Sequence, residues 1–146
     1  MLAALLSVPA APASAAITPA AGVHIQVSHT NLCMNVQGGG TANSAKIVQY
    51  PCSATNTNDD WKAVSQGDGT YHIVAIHSNK CLNVQGASTE VDINIIQYTC
   101  DATNKHDNFR FRPVPGSHTF QIVAEHSGKC LHVSRNSLET SAPVVQ

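Results

Sequence analysis

The chain has 146 residues, enough for one domain with a modest core. Charged residues make up 12% of it, eight basic against nine acidic, for a formal net charge of -1. No basic face exists to neutralise a phosphate backbone, which excludes a nucleic-acid binder. Past the N-terminus no apolar run reaches the roughly 18 residues that a membrane span needs.

The opening segment, MLAALLSVPAAPASAAITPAAG, is a short apolar run that passes into Ala, Pro and Ser, with an A-x-A-like site at Ala13-Ser14-Ala15. Residues 1–22 read as a secretory signal peptide and a short linker, although the usual positive start is missing. Export implies an oxidising compartment, where cysteines pair.

From Cys33 the chain repeats itself. CMNVQGGGTANSAKIVQYPC (Cys33 to Cys52) and CLNVQGASTEVDINIIQYTC (Cys81 to Cys100) agree at half their positions without a gap, and CLHVSRNSLETSAPVVQ from Cys130 to Gln146 begins a third copy. The period is 48 to 49 residues, the mark of one supersecondary unit that buries its apolar face only against its copies. The repeats run over about 23–69, 70–118 and 119–146, the third incomplete at the C-terminus.

Within each copy the apolar positions alternate. Val23, Tyr71 and Phe120 align, as do Ile25, Ile73 and Ile122, and Val27, Ala75 and Ala124; the period of two predicts a strand with these residues inward. A turn at Thr30-Asn31, Ser78-Asn79 or Ser127-Gly128 leads into a second strand with Met34 and Val36, Leu82 and Val84, or Leu131 and Val133 inward, which makes a hairpin. A polar loop, a third strand (Lys46 to Tyr50, Asn94 to Tyr98) and a fourth beginning at Trp61 or Phe109 complete the unit. Short strands in three repeats, with no helical period, predict an all-β fold, a β-trefoil in which a barrel of hairpins is capped by a triangular array of others.

The equal intervals predict disulfides Cys33–Cys52 and Cys81–Cys100, each closing a loop worth on the order of 3 kcal/mol. Cys130 is left as a free thiol, because its partner and the following aromatic lie past Gln146. The same reading predicts a truncated chain, with apolar edge exposed at one lobe and marginal stability. In the paired strands Cys33 and Asn35 share the outward face, and extending the pairing from the disulfide by two residues predicts Asn35 directly beside Tyr50. Asn83 and Tyr98 repeat that arrangement.

The recurrent C-L-x-V, then V-x-Q-Y-x-C or I-I-Q-Y-T-C, then an aromatic nine residues on, resembles the ricin B-type lectin domain, the Q-x-W repeat of secreted carbohydrate-binding modules. The resemblance covers about Val23 to Gln146 and implies a β-trefoil with one shallow sugar pocket per repeat and no catalytic centre. In that family a carboxylate after the first cysteine, an aromatic before the second, and an Asn three residues before the Trp hold the sugar. The matching positions are Asn35, Tyr50 and Asn58, then Asn83, Tyr98 and His106; in the third repeat only His132 is present. Two departures stand out: the family's Asp is Asn, Asn and His here, and the Gln of Q-x-W is Asp59 and Asp107.

The residue types suit the task. A Tyr ring stacks on the apolar face of a sugar, and an Asn amide both accepts from and donates to its hydroxyls. A carboxylate would grip harder, because charge-assisted hydrogen bonds are about twice as strong. Each pocket should therefore bind weakly, and useful affinity should come from several engaging one polymer. The plainer alternative is that the Asn residues close turns and the Tyr residues pack on the strand.

His29, His77 and His126 recur at one place in every copy. Equivalent positions meet only on the three-fold axis, so these histidines are expected to stabilise turns through nearby backbone rather than to bind metal. The acidic residues are scattered and no nucleophile motif occurs, so no enzyme activity, metal or cofactor is expected. The reading is a secreted, monomeric, non-catalytic carbohydrate-binding module for glycans or polysaccharides, attached to or acting beside a glycoside hydrolase. Its rival is a β-trefoil protein-interaction or inhibitor scaffold whose sugar pockets have lapsed.

Overall fold

The computed structural model describes residues 22–146, so the leader expected over residues 1–22 lies outside the described residues apart from Gly22. The rest is all-β. Ten strands follow in order: β1 (Cys33–Val36), β2 (Ile47–Tyr50), β3 (Trp61–Ser65), β4 (Tyr71–Ala75), β5 (Lys80–Val84), β6 (Ile95–Tyr98), β7 (Phe109–Pro113), β8 (Phe120–Ala124), β9 (His132–Val133) and β10 (Val144–Val145). The paired neighbours are antiparallel: β1 with β2, β4 with β5, β5 with β6 and β9 with β10 within the copies, and β3 with β4 and β7 with β8 across their junctions. The first strand of copy one, expected over Val23 to Val27, is reduced to two bridges, Val23 with Trp61 and Gln26 with Cys33.

The turns were legible. Asn31, Asn79 and Gly128 hold φ of 59°, 54° and 68°, left-handed backbone that these residue types tolerate best. A 3₁₀ turn follows β1, β5 and β9 in each copy, and its central residue is again left-handed: Gly38, Gly86 and, in the third, Arg135 at φ 54°.

Inward positions were also legible, with exceptions. Met34, Val36, Ile47, Trp61, Ile73, Ala75, Leu82, Val84, Ile95, Phe109, Ala124 and Val144 form one core, and the Trp61 indole N–H donates to the Met34 carbonyl at 2.9 Å. Val23, Val27, Tyr71 and Phe120 do not join it. Phe120 is 62% exposed, because it opens β8 opposite Pro113, a strand's length from the buried Phe109–Ala124 pair. β8 is also more open than β4: Gln121 is exposed where His72 is buried. The outward face of β1 and β5 is not outward. Cys33, Asn35, Cys81 and Asn83 are all buried, since the disulfide and the following loop cover that side.

Both predicted disulfides are present, and Cys130 is free. The register differs from the expected one by two residues: Cys33 faces Tyr50 and Asn35 faces Val48, with Cys81–Tyr98 and Asn83–Ile96 repeating it. Cys52 and Cys100 lie past the strand ends and reach back diagonally, so the disulfide does not mark opposed positions. Asn35 and Tyr50 keep a common face but stand one diagonal step apart.

The copies are joined through three glutamines. Gln49, Gln97 and Gln146 are 0%, 0% and 2% exposed. The Gln97 side chain donates to the carbonyls of Gly40 (2.9 Å) and Ala42 (2.8 Å) and accepts from the Ser78 hydroxyl (2.7 Å). Gln49 does the same with Ser137, Glu139 and Thr30, and Gln146 with Ser88, Glu90 and Ser127. Their backbones add an exchange on each side, for example Gln97 N–H to Ala45 and Ser44 N–H to Gln97. Bridges between Lys46 and Ile96, Val48 and Pro143, and Asn94 and Val145 complete the three-fold contact. The repeated histidines belong to this contact, contrary to the expectation of local turn bonds. His77 and His126 reach Gly40 and Ser88 carbonyls at 3.0 and 2.9 Å, and His29 lies 3.4 Å from that of Ser137, each on another copy.

Gln97→Leu keeps the volume but strands the Ser78 hydroxyl and the Ala42 carbonyl and leaves the Gly40 carbonyl to His77 alone, and should cost about 2–3 kcal/mol in guanidinium unfolding. Arg135→Gly removes the left-handed penalty that Gly38 and Gly86 avoid, and should raise stability by about 0.5–1 kcal/mol in the same assay.

Candidate functional site

Each copy brings its candidate residues together by the same backbone device. The loop before the fourth strand folds over the hairpin until the Asn58 carbonyl accepts the Val36 N–H at 2.8 Å; in the second copy His106 accepts from Val84 at 3.0 Å. The residues standing at the family's Gln position fix that loop at its other end. The buried carboxylates of Asp59 and Asp107 accept the backbone N–H groups of Ser53 (2.8 Å) and Asp101 (2.9 Å), each the residue after a disulfide cysteine. Aspartate at this point is thus a brace for the loop.

The two copies then differ. In the first, the Asn58 amide donates to Asn35 Oδ1 at 2.9 Å and to the Val36 carbonyl at 3.1 Å. That bond turns the Asn35 NH2 group away from Asn58 as a free donor, with Tyr50 half-exposed on the same face. In the second copy His106 replaces Asn58 and makes no such bond. Its ring meets that of His126 edge-on at 6.2 Å, and the Asn83 amide has no hydrogen-bond partner among the described residues. An open hollow of about 560 Å³ results, within the range of small-ligand sites, lined by Asn83, Tyr98 and His106 together with Gln85, Asp101 and Asn104. Tyr98 is 44% exposed on its wall. In the third copy His132 is exposed opposite Val145, with neither an aromatic nor a loop residue beside it among the described residues.

Asp101 is the residue that sequence reasoning missed. Its Oδ1 accepts the Thr103 hydroxyl at 2.6 Å and the Thr103 N–H at 2.8 Å. The hydroxyl foremost, then that N–H, hold its carboxyl below the usual carboxylate range, with Asn104 and His106 adding to them. The second hollow therefore keeps a carboxylate at its rim although Asn83 is neutral. The signal was Asp directly after Cys100, where the first copy has Ser53.

The profile of the family described as ricin-type beta-trefoil lectin domain-like matches residues 16–98 and again residues 66–146. The chain belongs to that family. Solved structures agree on the fold. The designed three-fold symmetric protein ThreeFoil superposes with a TM-score of 0.77 at 34% identity, over 82% of this chain and 83% of that one. The exo-beta-1,3-galactanase 1,3Gal43A from Clostridium thermocellum gives 0.81 at 25%, over 87% of this chain but 27% of the enzyme. The C-half of an earthworm R-type lectin, solved with GalNAc, gives 0.61 at 16% over 83% of each chain, a likeness of fold alone. No curated protein sequence matches this chain. No helix among the described residues is long and apolar enough to cross a membrane.

Thr103→Val should return the Asp101 carboxyl toward its ordinary value of 3.8, which a carbon-detected NMR titration reads directly. A depressed folded-state pKa stabilises above the unfolded value. The wild-type advantage over Thr103→Val should therefore hold at neutral pH and fade as pH falls through the Asp101 transition.

Proposed function

We propose that this protein is a secreted, non-catalytic module that binds carbohydrate weakly at each site and gains strength by engaging one polymer at more than one repeat. The observation that carries the proposal is the second-copy hollow, where an exposed Tyr98 ring, the unpartnered Asn83 amide and the Asp101 carboxylate converge. A pyranose or furanose needs those three things: a flat apolar surface, a group that both donates and accepts, and an acceptor strong enough for vicinal hydroxyls. His106 supplies a further ring nitrogen.

The first copy is the second site in this proposal. Asn35, held by Asn58, presents a donor beside Tyr50 but no charge, so it grips more weakly. Family membership supports the lectin reading at the general level. Two disulfides support an oxidising destination. The galactanase, most of whose length lies outside the shared fold, supports a role beside a glycoside hydrolase.

Calorimetry against soluble plant-type polysaccharides, chosen by glycan array, tests this. Tyr98→Ala should weaken binding by about tenfold through loss of the stacking face. Asn35→Asp should tighten it several-fold by placing a charge-assisted acceptor in the first site. Binding that ignores both substitutions would remove these sites from the proposal, and a blank array would remove the lectin function.

A further inference from the structure

Beside the first disulfide, and away from the hollow, His24, Asp59 and Asp60 form a cluster that the sugar reading leaves unused. His24 Nε2 lies 3.2 Å from Asp60 Oδ1 and 3.8 Å from Asp59 Oδ2, and one donor atom from each residue falls within 4.8 Å of the others. All three are fixed by backbone. Val23 and Trp61 exchange two hydrogen bonds, at 2.8 and 3.0 Å, which set His24 against the loop, and the Asp60 carbonyl accepts the Ile76 N–H at 2.9 Å.

The charge does not balance. Asp59 is fully buried, and among the described residues its Oδ1 has no hydrogen-bond partner and His24 is the only ion-pair partner of either carboxylate. A buried carboxylate is costly unless paired. Two adjacent carboxylates facing one imidazole leave negative charge that a divalent cation would neutralise.

We propose that His24, Asp59 and Asp60 bind one divalent transition ion of the zinc type. An imidazole nitrogen with two carboxylate oxygens selects zinc-like ions over calcium or magnesium. Donors about 2.0–2.1 Å from a tetrahedral zinc stand about 3.3 Å from one another; His24 stands 3.2 and 3.8 Å from the two carboxylates, and the carboxylates lie within 4.8 Å of each other. His24 and Asp60 are partly open to solvent, which leaves room for water at the remaining position.

The second copy shows the same constellation one charge short. His72 Nε2 stands 3.6 Å from Asp107 Oδ1, both otherwise unpartnered among the described residues, but Asn108 replaces the second carboxylate and His72 is buried, which closes the way in for a hydrated ion. The third copy has Gln121 in place of the histidine. One site per chain follows. These residues are distinct from His29, His77 and His126, which are bound into the contacts between copies.

Calorimetry of the full chain with zinc chloride, after chelator treatment, is the test, with thermal unfolding alongside. Wild type should bind one zinc saturably and melt at a higher temperature when loaded. His24→Gln and Asp60→Asn, both at partly exposed positions, should each lower the affinity at least about tenfold while leaving the circular dichroism of the metal-free protein unchanged. His132→Gln, at an exposed histidine elsewhere, should bind as wild type does. Failure of the wild type to bind zinc saturably would overturn the proposal, and so would zinc binding as tight in His24→Gln and Asp60→Asn as in the wild type.

Discussion

The fold depends on three buried glutamines. Each carries its amide into a loop of another copy, where it bonds two backbone carbonyls, one of them shared with the repeated histidine, and each is itself held by a hydroxyl from its own hairpin turn. An unpaired carbonyl in that interior would cost as much as a good core contact supplies. Apolar burial drives the copies together, while the glutamines set the angle at which they meet. The left-handed residues Ser44, Asp92 and Ser141 accept their backbone strain because it aims their N–H groups at the same three glutamines.

Much of this was legible. The repeat and its period give the architecture, the alternation of Ile25, Ile73 and Ile122 gives the inward faces, and the spaced cysteines give the staples. The residues that failed did so for identifiable reasons. Phe120, like Tyr71, fits the inward alternation but sits at a strand end, and alternation does not say where a strand leaves the barrel. Asn35 was expected directly opposite Tyr50 because a disulfide was taken to join opposed residues, whereas Cys52 reaches back from past the strand. The histidines were read as local because sequence shows only their neighbours along the chain, and their partners lie as far as 108 residues away.

The candidate site shows how one motif diverges without changing its scaffold. Asp59 and Asp107 brace the same loop in the same way, so the backbone of the two copies is nearly interchangeable. A single exchange, Asn58 for His106, decides whether the facing asparagine is already engaged or open. The second hollow carries a carboxylate at a different position, since Asp101 lines it from the loop after Cys100 and not from the strand. A motif comparison that scores fixed positions registers that as a defect, because charge is counted by column and not by where it arrives in space.

The direction of the glutamine contacts has a kinetic consequence. The first copy clasps the third, the third clasps the second, and the second clasps the first, with partners 55 to 90 residues apart in the chain. A solenoid of repeats grows by adding one unit to a finished neighbour, and each step is stable when taken. A ring has no such order. The loop at Ser137 and Glu139 must be made before Gln49 is satisfied, so during synthesis the first copy waits, with a buried-type polar side chain exposed, for residues translated far later. Contacts of this span put most of the loop-closure entropy ahead of any reward, which makes the chain a slow folder with high contact order whose three copies lock in a single event.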